Sequence, residues 1–125
     1  MDQKEESLIL DGGNMVVNSQ DLYLLSHYEY GEAFFGSVSG MNYRVNRNPM
    51  EFVKFSTPEE KADATLIAYI WPGPKNFAKT DPEKIYSKEF PYSDEGKDEL
   101  AAWISEQYES RKSEWDRIAE KGLLG

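Results

Sequence analysis

Residues 93–122 read SDEGKDELAAWISEQYESRKSEWDRIAEKG, and this stretch decides the architecture. Leu100, Trp103, Ile104, Tyr108, Trp115 and Ile118 recur at spacings of three, four and seven. On a 3.6-residue period they form one apolar stripe. Ser93 or Asp94 can cap the start, and Asp94, Glu95, Asp98 and Glu99 crowd the positive end of the helix dipole. Arg111, Lys112, Arg117 and Lys121 fill the second half, and Gly122 is placed to end the helix. The spacing therefore predicts a helix from about residue 94 to about Lys121, which must bury its stripe against another layer.

Working back toward the N-terminus, the preceding segments read as strands. Ile85 to Phe90 is extended and stops at Pro91, with Thr80-Asp81-Pro82-Glu83 supplying a cap and a helical first turn before it. Leu66-Ile67-Ala68-Tyr69-Ile70-Trp71 is apolar on both faces and reads as a central strand. Thr57-Pro58-Glu59-Glu60 is a start signal for one or two helical turns. Phe52 to Phe55 is a further short strand candidate. Phe34 to Ser39 and Asn42 to Arg47 form a hairpin around Gly40-Met41, with glycine in the first loop position of a type II′ turn. Residues 22–30 fit neither period, because Ser19 can cap a helix while the tyrosines favour a strand. Leu8-Ile9-Leu10 and Met15-Val16-Val17 flank Asp11-Gly12-Gly13-Asn14 as a second hairpin. The expected fold is α+β: a curved, mainly antiparallel sheet of four to six strands with the long C-terminal helix packed on one face. No repeat or linker divides the chain, so one domain over residues 1–125 is expected, with flexible ends at 1–7 and 122–125.

Composition narrows the function. Eight Tyr, six Phe and three Trp among 125 residues supply a core without disulfides or metals, so the mean hydropathy of −0.71 reflects a charged surface. The absence of cysteine excludes thiol nucleophiles and cysteine-ligated metals. The acidic N-terminus and short apolar run at Leu8–Leu10 fit neither a signal peptide nor a membrane span, which places the protein in the cytoplasm. Net charge is −9: residues 1–43 carry seven acids and one base, 44–57 one acid and three bases, and 58–125 fifteen acids and ten bases. Such a field disfavours direct binding to nucleic acid or anionic membrane.

No catalytic constellation is legible. The single histidine, His27, adjoins Ser26, and neighbours in sequence do not make a nucleophile–base pair. Gly36-Ser37-Val38-Ser39-Gly40 places valine where a nucleophile elbow needs serine. There is no phosphate loop, dinucleotide fingerprint or EF-hand, so no catalytic residue, metal or cofactor is assigned.

Two features suit recognition. Arg44, Asn46 and Arg47 stud a polar strand, where arginines could meet carboxylates or phosphates of a partner. Trp71-Pro72-Gly73-Pro74-Lys75-Asn76-Phe77 is a stiff loop bracketed by Trp71 and Phe77, aromatics of the kind enriched in binding hot spots. The leading expectation is a non-catalytic protein-interaction or regulatory module with a protein partner, self-association included. The alternatives are an acidic inhibitor that imitates nucleic acid before a DNA- or RNA-binding protein, and a small enzyme with a carboxylate or tyrosine pocket.

Overall fold

A computed structural model describes residues 15–124. The hairpin expected across Asp11–Asn14 and the N-terminal end at 1–7 lie outside them. Four strands, β1 (Phe34–Val38), β2 (Met41–Asn48), β3 (Thr65–Pro72) and β4 (Tyr86–Pro91), form an antiparallel sheet in the order β1-β2-β3-β4. The register pairs Tyr43 with Ile70, Val45 with Ala68, and Leu66 with both Arg47 and Phe90. Because side chains alternate along a strand, one face carries Phe34, Met41, Tyr43, Val45, Leu66, Ala68, Ile70 and Phe90. Against that face lie α3 (Asp94–Ser110) and α4 (Lys112–Leu124), following the short helical turns α1 (Leu25–Tyr28) and α2 (Pro58–Lys61). The α+β class and the helix-on-sheet packing are as the sequence predicts.

The stripe faces inward: Leu100 and Ile104 are fully buried, Tyr108 and Trp115 nearly so, and Trp103 packs its ring on Phe90. Ser105 ties the N-terminal segment to α3, its hydroxyl accepting from Val16 N at 3.1 Å and Val17 N at 3.2 Å.

Several expectations are corrected. The C-terminal helix is divided at Arg111, whose φ of −135° and ψ of 36° leave the helical region. The turn lets Trp115 enter the core, and its indole N–H donates to the Gln107 carbonyl, a group orphaned by the end of α3. Gly122 lies inside α4. Phe52–Phe55 makes no strand, since only Val53 is buried and the chain turns around it. Residues 22–30 contribute the single turn α1. The β1–β2 loop is Ser39-Gly40, not Gly40-Met41: Val38 pairs with Met41, and Ser39 takes the positive φ of 56°. Gly40 is needed for another reason, because a Cβ there would meet the Trp115 carbonyl oxygen at 2.3 Å.

Candidate functional site

The sheet face away from the helices carries Phe35, Arg44, Asn46, Tyr69 and Trp71 in neighbouring register positions. Beyond Trp71 the chain cannot continue the strand through Pro72-Gly73-Pro74, and it folds back over this face. Gly73 N donates to Gly40 O at 2.9 Å, and the Asn76 side chain caps the short turn Phe77–Lys79. The return delivers the Phe77 ring against Tyr69, with centroids 5.0 Å apart, and against Trp71 at 5.2 Å.

Arg44 is the hub. Its guanidinium carbon stands 4.6 Å from the Phe77 centroid, 5.6 Å from Tyr69 and 5.7 Å from Phe35, a three-sided cation–π nest. Its Nε donates to Asn46 Oδ1 at 2.9 Å, and one terminal nitrogen reaches Met50 Sδ at 3.0 Å. Asn46 is itself buried and donates to the Arg47 carbonyl, so it fixes the guanidinium from below. Trp71 is buried and its indole N–H donates to Lys75 O at 2.9 Å, which makes it the floor of the loop. Phe77 is half-buried and Arg44 partly exposed.

The structure brings Arg44, Asn46, Trp71 and Phe77 together and separates Arg47 from them. Arg47 points to the helix-bearing face and is 2% exposed, donating to Pro49 O at 2.8 Å and to Lys61 O at 3.4 Å beneath the Tyr92 ring. There it holds the 49–61 segment to the sheet. Beside it Glu29 pairs with Lys61 at 3.2 Å.

That held segment contains what the sequence did not nominate. Val53 is buried and its N–H donates to Glu29 O at 2.7 Å, pinning the backbone while its neighbours project outward. Phe55 is 83% exposed and Phe52 58%, the same as Phe35. Phe52 touches Phe55 and Tyr30 with ring centroids 5.9 and 5.8 Å apart. Gly31, at a φ of +83°, lets its segment lie against the Glu51–Phe52 backbone, which a side chain would crowd at 3.2 Å. Met50, two residues before Phe52 in the chain, is in contact with Arg44.

Elsewhere, His27 Nε2 lies 2.7 Å from Glu32 Oε1 at the surface, and the His27 ring packs at a tilt against Tyr23. Burial raises the phenols of Tyr28, Tyr43 and Tyr92 above their ordinary range, with the Tyr92 hydroxyl donating to Leu25 O. Phenols so shifted stay protonated at neutral pH and act as core packing. Among the described residues no three histidine or acidic side chains converge as a metal site, and no helix is long and apolar enough to cross a membrane. Comparisons with protein-family models, curated proteins and solved structures found no match.

Proposed function

We propose that this protein is a non-catalytic, cytoplasmic protein-interaction module that docks a protein partner through the Arg44 nest with Phe35 and through the exposed aromatics Phe52, Phe55 and Tyr30. The supporting observation is the outward projection of Phe52 and Phe55 on either side of a pinned Val53. Adjoining apolar side chains left in water on a fixed backbone mark interaction sites, and aromatics around an arginine are the composition of binding hot spots. Arg44 pre-ordered by Asn46 and Phe77 loses little freedom on binding, which favours affinity. Photo-crosslinking tests the reading: p-benzoylphenylalanine at position 55 is expected to capture a discrete protein, or a second copy of the chain, where the same probe at exposed Ser113 captures none. Phe35→Asp should abolish the adduct. Equal labelling from both positions, or none from position 55, would refute the proposal.

One observation favours a second reading, the nucleic-acid mimic. On α3 the acids Asp94, Glu95, Asp98, Glu99, Glu106 and Glu109 are all exposed, while the only base, Lys97, turns inward to donate to Tyr23 O. A basic partner held by these acids would weaken steeply between about 50 and 200 mM salt, whereas a partner on the aromatic surface would not. Salt dependence of the position-55 adduct separates the two.

A further inference from the structure

The sheet's helix-bearing side holds a cleft between the start of β4 and α4, with a volume of about 400 Å³. That size is in the range of small-molecule sites. Pro72, Tyr86, Trp115 and Ile118 give it apolar walls. Tyr86 pairs with Ile70 at the sheet edge and so faces the helical layer, yet it remains 51% exposed.

The rim is cationic. Lys84, Arg111, Arg117 and Lys121 line the cleft against two acids, Glu83 and Glu114. In a chain of net charge −9 this is a local reversal of sign. The Arg111 guanidinium stacks over Trp115 at 4.4 Å and Tyr86 at 5.1 Å, and its contact with Glu114 is long, at 3.9 Å. Among the described residues Lys84, Arg117 and Lys121 have no ion-pair partner. The four cations outnumber the two acids, and an anion between them would relieve their mutual repulsion.

We propose that this cleft binds a small organic anion with a flat apolar body, its ring against Tyr86, Trp115 and Ile118 and its phosphate or carboxylate among Lys84, Arg117 and Lys121. The size limit follows from charge. A polyanion would extend beyond the Debye length of about 8 Å into the field of the exposed acids, whereas a small anion stays within the positive patch.

Three probes test the site by heteronuclear NMR titration of the full chain. Naphthyl phosphate is expected to shift the Trp115 indole and Ile118 methyl resonances with submillimolar saturation. Inorganic phosphate, lacking the ring, and naphthol, lacking the charge, should each bind at least about tenfold more weakly, a difference of about 1.4 kcal/mol. The double variant Lys84→Ala/Arg117→Ala alters two exposed side chains and should weaken naphthyl phosphate at least about tenfold while leaving naphthol unchanged. Equal affinity for naphthyl phosphate and either simpler probe, an unaffected double variant, or shifts centred away from Trp115 would each overturn the proposal.

Discussion

At Gly96, in the first turns of α3, an added Cβ would stand 1.9 Å from the Pro91 carbonyl oxygen. Helix propensity alone would make Gly96→Ala stabilising by about 1 kcal/mol. The clash is with backbone and cannot relax cheaply, so the substitution is expected to destabilise by about 1–3 kcal/mol in urea unfolding. A rise in midpoint would show that β4 and α3 are less closely apposed. Trp71→Ala removes a buried indole and should cost about 3–5 kcal/mol, whereas Phe55→Ser alters a side chain 83% in water and should stay within about 0.5 kcal/mol of the parent. Comparable losses from both would mean that Phe55 belongs to the core and not to a recognition surface.

Between elements, Asp116 on α4 joins three parts of the fold. It accepts from Ser39 Oγ on the β1–β2 loop at 2.6 Å, from the Tyr108 hydroxyl on α3 at 3.0 Å, and from Lys112 Nζ at 3.1 Å. These donors, the Ser39 hydroxyl foremost, hold its carboxyl below the usual carboxylate range. A group whose folded pKa is depressed contributes stability that is present above its unfolded value and lost as pH falls through the folded one. Asp116→Asn should therefore flatten the fall in stability below about pH 4, the ordinary carboxylate value, and leave the slope above pH 5 unchanged. An acid limb as steep as the parent's, followed by circular dichroism, would remove Asp116 from this role. The same junction accounts for the divided helix. Nothing between Glu109 and Ser113 is a helix breaker, so periodicity alone runs on through Arg111. The interruption is imposed where Trp115 and Asp116 are drawn against Gly40 and Ser39.

For the molecule as a whole, the tyrosines set the alkaline limit. Burial, then the charge of Glu29, pushes Tyr92 up to about 12 against the opposing pull of Arg47, and burial raises Tyr28 as well. With folded values above the unfolded value of about 10, their contribution is complete below pH 10 and disappears as pH rises through the folded values. Stability should fall between about pH 10 and 12, and Tyr92→Phe should make that limb shallower; an unchanged slope in urea midpoints would refute the assignment. The helix-on-sheet class is legible in the order of residues, because the stripe from Leu100 to Ile118 and the apolar run Leu66–Trp71 demand burial against each other. The order of residues also contains the separation of the arginines: Arg44 and Arg47 lie an odd number of residues apart, and on a strand that parity sends them to opposite faces. Tertiary structure alone decided that Arg44 meets Tyr69 and Phe77, since strand register and the return of the 73–80 loop are non-local. It likewise decided that Phe52 and Phe55 face water, because their orientation follows from the Val53–Glu29 bond and the grip of Arg47 on Pro49, contacts that no local pattern encodes.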